Sequence, residues 1–171
     1  MKLLDIDKKR YRQHLNKVIA GFIFTFMILA LALGQLFIFL WAEPGGTGDN
    51  FWFNFSGVAL ALILSLSIIN RFKTHEFMKE VLYVWQLKQQ INLVYRKLKV
   101  VKNKAFTDKN IDALIILSFY YKACRQLYNL DDNTITIFSL TREENTLLQF
   151  IQSHNLSINS EDYQQKLIKD V

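Results

Sequence analysis

Cysteine, proline and glycine are scarce in this chain. Its 171 residues include one cysteine, one proline and six glycines. A single cysteine, Cys124, excludes a disulfide framework and any zinc site built from several cysteines. After Gly57 the chain has neither glycine nor proline, and sheets usually need those residues in their turns. We therefore predict an all-α fold, with turns built from Asn, Asp and Ser.

Charge is missing from two long segments, residues 18–42 and 51–69. Each reaches the roughly 20 residues that a helix needs to cross ~30 Å of hydrocarbon. Neither segment has the polar face that a core helix of a small soluble domain would keep. We predict two transmembrane helices here. A cleaved signal peptide is the alternative for the first, but its apolar stretch exceeds the 7–15 residues typical of such a peptide.

Lysine and arginine are missing from the loop over residues 43–50, whereas both outer flanks of the apolar segments are basic. Basic flanks stay in the cytoplasm. The predicted order is therefore a basic cytoplasmic segment over 1–17, the two spans, the external loop between them, and a cytoplasmic helical domain over 70–171. Both termini are cytoplasmic in this arrangement.

Small residues recur at four-residue spacing in both spans. In this pattern helix backbones approach closely, which favours packing of the two spans as an antiparallel hairpin. The predicted packing residues are Ala30, Gly34, Gly57, Ala61 and Ser65.

The cytoplasmic domain begins with a predicted long helix from about Arg71 to Lys102. It carries a stripe of eight apolar residues at near-heptad spacing: Phe77, Val81, Val84, Leu87, Ile91, Val94, Leu98 and Val101. The second span either continues into this helix or meets it at a kink near Asn70. The predicted core of the domain is Phe77, Val84, Trp85, Ile91, Leu117, Tyr121, Leu147 and Phe150.

Three further helices are predicted. One is capped by Thr107 or Asp108 and runs to about Asn129. Another begins at the capping box Thr141-x-x-Glu144, after residues 134–138, which are read as an extended linker or a helical turn. Ser160 caps the last. We expect these C-terminal helices to fold back along the stripe, because their acidic residues carry a charge opposite to that of the basic residues flanking the stripe. These acidic residues are Glu143, Glu144, Glu161 and Asp162. Dimerisation through the stripe is the alternative.

Patterns for catalysis and ligand binding are also missing. His14, His75 and His154 stand in separate segments, without the spacing of a zinc site. The chain has no P-loop, dinucleotide-binding or nucleophile-elbow motif. We therefore expect a non-catalytic protein with no catalytic residue, cofactor, metal site or small-molecule substrate. An enzyme would have to rely on Cys124 and His154.

Basic residues cluster in the segment Arg96–Lys104, against a net charge of +6 for the whole chain. The cluster comprises Arg96, Lys97, Lys99, Lys102 and Lys104. It is typical of a solvated helix end, where cations suit the helix dipole. The alternatives are contact with anionic lipid or nucleic acid, and the acidic helices that follow argue against nucleic acid.

The N-terminal sequence Ile6-Asp7-Lys8-x-Arg10-Tyr11-Arg12-x-His14-Leu15-Asn16, followed by two spans and a helical tail poor in Gly and Pro, resembles a family of small bacterial inner-membrane proteins that carries a domain-of-unknown-function label. The resemblance implies a multi-pass protein of the bacterial inner (plasma) membrane, and it brings no catalytic residue, ligand or partner. We expect a scaffold or adaptor whose partners are the lipid bilayer and either another membrane protein or a second copy of the chain. A membrane-tethered regulator binding lipid or nucleic acid through Arg96–Lys104 is the alternative.

Overall fold

The computed structural model describes residues 1–42 and 50–170, so the predicted loop over 43–50 lies, apart from Asn50, outside the described residues. The chain divides into two compact units. We call Lys9–Leu82 the hairpin unit, and Met1–Lys8 together with Tyr83–Val171 the helical unit. The described residues form helices and no strand, which confirms the all-α fold class.

The helices follow one another along the chain, with a short 3₁₀ turn at two places. In order they are α1 (Lys8–Trp41), α2 (Phe51–Phe72), a 3₁₀ turn (Glu76–Met78), α3 (Lys79–Arg96), α4 (Leu98–Phe106), α5 (Ile111–Leu130), α6 (Ile137–Ser153), a second 3₁₀ turn (Ser160–Asp162) and α7 (Leu167–Asp170).

The long helix predicted over residues 71–102 is interrupted twice. The second span does not continue into it, because α2 ends at Phe72 and His75 is extended, with φ −70° and ψ 146°. The His75 side chain accepts a hydrogen bond from the backbone N–H of Phe77 and so starts the 3₁₀ turn. A second interruption falls at Lys97, with φ −110° and ψ 8°, between α3 and α4.

Helix α5 forms the centre of the helical unit. It contacts α4, α6, the second 3₁₀ turn and α7, and nearly every turn of it is buried, as the run Ala113–Tyr121 predicts. Its predicted cap at Thr107 or Asp108 is wrong. Thr107 instead closes α4 through its N–H to the carbonyl of Asn103, and Asn110 caps α5, its side chain accepting from the N–H of Ala113 at 2.9 Å.

The predicted start of α6 is also wrong. The helix begins at Ile137, so Thr141 lies inside it, with its hydroxyl donating to the carbonyl of Ile137. Glu144 does not complete a capping box, because it pairs with Arg125 of α5. The segment 134–138 resolves into a turn that leads into this helix.

The C-terminal residues pack against α3 and α5 of the same chain, which confirms the expected closure. The ring of Tyr163 stacks on Phe119 at a centroid distance of 3.8 Å, and its hydroxyl donates to Gln90 at 3.0 Å. Lys97 donates to the carbonyl of Ile168 at 2.7 Å. Asn159 caps the second 3₁₀ turn, so the predicted cap at Ser160 is wrong by one residue.

The predicted core is correct in its main members and wrong at Trp85. Val84, Leu117, Tyr121 and Leu147 are buried, whereas Phe77, Ile91 and Phe150 are half-buried. Trp85 is 57% exposed. It follows Val84 directly, and one residue turns a helix by about 100°, which carries Trp85 off the buried face.

Candidate functional site

Two glycines bring the backbones of α1 and α2 into direct contact. A Cβ atom at Gly57 would lie 2.5 Å from the backbone nitrogen of Gly34 and 2.7 Å from its Cα, so the pair allows backbone contact that no other residue type would permit. Ala61 and Ser65 continue the buried face of α2 at four-residue spacing, and Ala30 is half-buried on α1. The structure thus brings Gly34 and Gly57 together in one helix–helix contact.

The opposite faces of α1 and α2 are apolar and exposed. Both helices are long and apolar enough to cross a membrane. Of the 18 residues in the most apolar stretch of each helix, only 6% in α1 and 17% in α2 are buried. Leu31 is 70% and Phe39 85% exposed, and Phe24 and Ile63 are exposed as well. Soluble monomers rarely expose a continuous apolar surface of this extent.

A half-buried carboxylate, Glu80, ties the beginning of α1 to the beginning of α3 within the hairpin unit. Arg10 lies 2.9 Å from one of its oxygens, and Nδ1 of His14 lies 3.2 Å from the other. The imidazole of His14 also packs on the ring of Phe77, with centroids 4.1 Å apart. Together with the buried Tyr11, these contacts give a structural role to the N-terminal motif.

The basic segment Arg96–Lys104 is partly used inside the helical unit. Lys97 is bound to the backbone of Ile168, and Lys102 pairs with Glu143. Within the part of the chain that the structure describes, Arg96, Lys99 and Lys104 take part in no ion pair. The five residues therefore do not act as one free cationic surface.

Glu143 lies at the centre of a polar contact between α4, α5 and α6. It accepts hydrogen bonds from Lys102 and from the hydroxyl of Tyr121, the latter at 2.8 Å. Burial by itself would raise the pKa of Glu143, but the hydrogen bonds from Lys102 and Tyr121 and the charge of Lys102 lower it overall. Burial, with the neighbouring Glu143, raises the pKa of Tyr121. The carboxylate is thus held ionised beside a neutral phenol, as in a structural polar cluster.

The two residues on which an enzyme would rely lie in α5 and directly after α6. Cys124 is 1% exposed on α5, and burial raises its thiol pKa to about 11, so little thiolate forms at neutral pH. His154 follows the end of α6, with Nδ1 2.9 Å from the carbonyl of Phe150. The described residues include no group of three or more His, Cys, Asp and Glu side chains that could hold a metal ion.

Sequence reasoning missed the role of the first eight residues, which belong to the helical unit. The backbone N–H of Leu4 donates to the hydroxyl of Tyr83 at 2.9 Å, and its carbonyl accepts from Gln126. Tyr83 in turn donates to Gln126 at 2.9 Å. No local pattern marks such a contact, because Tyr83 and Gln126 lie about 80 and 120 residues after Leu4 in the chain.

Comparison with known proteins identifies a family. A family model described as "Protein of unknown function (DUF3087)" matches residues 1–168. No curated protein and no solved structure matches this chain. The match covers nearly the whole sequence, including both long apolar helices and the helical unit, and it confirms the resemblance to a domain of unknown function. The chain therefore belongs to DUF3087, a family of proteins of unknown function.

Proposed function

We propose that this protein is a non-catalytic integral membrane protein, a scaffold or adaptor that presents its helical unit at the cytoplasmic face of the bacterial inner membrane. The observation that carries the proposal is the exposed apolar surface of α1 and α2. In water this surface would be costly, at about 25 cal/mol for each Å². In a bilayer, lipid tails cover it at no such cost.

The proposed orientation rests on charge. Lys8, Lys9, Arg10 and Arg12 precede the apolar part of α1, and Arg71 and Lys73 follow that of α2, whereas the sequence between the helices has no Lys or Arg. The positive-inside rule then directs both termini to the cytoplasm. The bacterial inner membrane comes from the resemblance of the N-terminal motif.

The adaptor role is supported by exposed apolar side chains on the helical unit. Ile135 is 89% and Phe138 86% exposed, just before and within the first turn of α6. Large apolar residues so placed favour contact with a partner. The proposed partner is another membrane protein or a second copy of this chain.

Extraction of membranes at alkaline pH tests the anchor. We expect the full chain to stay in the membrane pellet after carbonate treatment, together with a known integral protein. Release into the supernatant with peripheral proteins would overturn the membrane-spanning proposal.

In-cell photocrosslinking tests the adaptor role. A photoreactive amino acid at position 138 should give a discrete crosslinked product, because Phe138 lies on the proposed contact surface. The same group at Gln152, exposed on α6, is the matched control. Equal patterns from the two positions would contradict a specific contact at Phe138.

A second candidate function is binding of anionic lipid or nucleic acid by the basic segment. Arg96, Lys99 and Lys104 favour it, because each keeps its charge free of ion pairs among the described residues. Replacing all three by Gln should weaken binding to anionic vesicles or DNA and flatten its salt dependence. The control replaces Lys109, Lys166 and Lys169, which removes the same charge; equal losses in both variants would reject a specific site.

A further inference from the structure

A cavity of about 250 Å³ lies within the hairpin unit, between the first half of α1 and the last turns of α2. Its walls are mostly apolar and include Val18, Phe22, Ile69 and Phe72. Gly21 also lines it, and a Cβ atom at that position would have no other heavy atom within 4 Å. The missing side chain of Gly21 therefore leaves part of this space open.

A buried hydroxyl without a partner also lines the cavity. Ser65 is 1% exposed, and its Oγ makes no hydrogen bond to any described residue. Ser67, two residues later, satisfies its hydroxyl by donating to the carbonyl of Ile63 at 2.8 Å. Since a buried polar group without a hydrogen bond is destabilising, a bound molecule that brings an acceptor to Ser65 would stabilise this part of the hairpin unit.

All ionisable side chains that line the cavity are basic. Lys17 and His75 are its only lining residues that carry or can acquire a charge, and none of its lining residues, all within the described chain, is acidic. Lys17 directly precedes the apolar segment that begins at Val18. A cation therefore lies at one border of an apolar cavity, an arrangement that suits a molecule with an anionic head and an apolar tail.

We propose that this cavity binds one anionic phospholipid from the cytoplasmic leaflet. One acyl chain lies between α1 and α2, an ester carbonyl accepts from Ser65, and the phosphate group lies next to Lys17. Basic pockets between transmembrane helices on the cytoplasmic side bind such headgroups. This site is separate from the basic segment Arg96–Lys104, and it rests on the membrane-spanning hairpin proposed above.

The test is native mass spectrometry of the purified full chain in detergent, titrated with phosphatidylglycerol or with phosphatidylcholine of the same acyl composition. The wild type should bind the first phosphatidylglycerol at least fivefold more tightly than phosphatidylcholine. Gly21→Leu fills the cavity and should weaken that first binding step about tenfold. Ala20→Leu adds the same side chain at the neighbouring exposed position and should change it less than twofold.

Two further variants examine the polar contacts. Lys17→Gln should weaken phosphatidylglycerol binding about fivefold, as expected for one basic residue at the membrane surface. It should weaken phosphatidylcholine binding less, because the choline cation already offsets the charge of the phosphate that both lipids carry. Ser65→Ala should weaken both lipids about equally. Both changes are conservative, so they test the site even if Gly21→Leu fails to fold.

The proposal is overturned if the wild type binds both lipids equally, or if Ala20→Leu loses as much affinity as Gly21→Leu. Carbonate extraction separates this outcome from failure of the proposed function. A chain that stays in the membrane but shows no lipid preference loses the lipid site alone, whereas a chain released by carbonate loses the anchor.

Discussion

Gly57 lies against the backbone of Gly34, and a side chain at position 57 has to push the two helices apart. We expect Gly57→Val to destabilise the α1–α2 contact by about 1–3 kcal/mol, the usual range for overpacking. The measurement is the melting temperature of the purified full chain in detergent. Gly21→Ala is the matched control, because a Cβ atom there meets nothing within 4 Å. A control that melts as low as Gly57→Val would contradict this account of the contact.

Leu87 and Trp85 differ in burial, although both lie on α3. Leu87 is fully buried, whereas more than half of Trp85 is exposed. We expect Leu87→Ala to lower the free energy of unfolding by about 2–5 kcal/mol through lost apolar contact and the cavity that it leaves. Trp85→Ala should change it by less than about 0.5 kcal/mol. Urea denaturation of the two variants checks this, and a larger loss for Trp85→Ala would reverse the assignment of faces.

The hydroxyl of Tyr163 makes the free energy of unfolding vary with pH in the alkaline range. Burial raises the pKa of its hydroxyl from 10.0 to about 12. Because the folded value lies above the unfolded one, the contribution of this group to stability is complete below pH 10 and is lost as the pH rises towards 12.

We therefore expect Tyr163→Phe to lower the free energy of unfolding at pH 8, through loss of the bond to Gln90, and to show a smaller decline than the wild type between pH 10 and 12. Denaturant unfolding at a series of pH values measures both effects. Tyr95→Phe, on an exposed ring, is the control and should keep the wild-type decline. A decline in Tyr163→Phe as steep as that of the wild type would be inconsistent with this role.

At the residue scale, the sequence predicts burial where the spacing of apolar residues is regular. Val84, Leu87, Val94 and Val101 of the stripe are all buried, as a near-heptad pattern requires. Trp85 follows the stripe residue Val84, and it is predicted to lie in the core because it would widen the apolar stripe. Burial of this position depends on whether a neighbouring element covers it. The sequence of α3 alone does not contain that information.

At the scale of elements, helix starts depend on which of several capping residues the chain uses. Thr107, Asp108 and Asn110 all suit the beginning of α5 by residue type. Asn110 takes the role because α4 extends to Phe106 and Lys109 turns the chain with φ 51°. Similarly, Thr141 and Glu144 have the spacing of a capping box, but α6 has already begun at Ile137. The sequence thus predicts most of the helices, but neither their exact starts nor the interruptions at His75 and Lys97.

The cap of α5 gives a prediction at this scale. Asn110→Ala should lower the free energy of unfolding by about 1 kcal/mol, because the N–H of Ala113 loses its acceptor. Asp108→Ala removes the side chain of an exposed residue in the preceding turn and should have little effect. Thermal unfolding of both variants measures the difference. An equal loss from Asp108→Ala would show that α5 is stabilised elsewhere in this turn.

At the scale of the whole molecule, the chain order does not match the compact units. The first eight residues belong to the helical unit, and α1 begins in them and continues as the first helix of the hairpin unit. Lys8 pairs with Asp132, and the N-terminal amine donates to the carbonyl of Tyr163 at 3.3 Å. The sequence predicts the two spans from the length of the uncharged apolar segments, and it predicts the all-α class from the scarcity of glycine and proline. Contacts over more than 100 residues have no local signature.

In the proposed topology, α1 and α2 span the membrane and both termini lie in the cytoplasm. The most direct test is labelling of single cysteines at positions 46 and 171, in a Cys124→Ala background, by a maleimide that does not cross membranes, on intact spheroplasts. We predict labelling at position 46 alone, with position 171 labelled only after lysis. Labelling at position 171 before lysis, or protection of position 46 until lysis, would contradict the account.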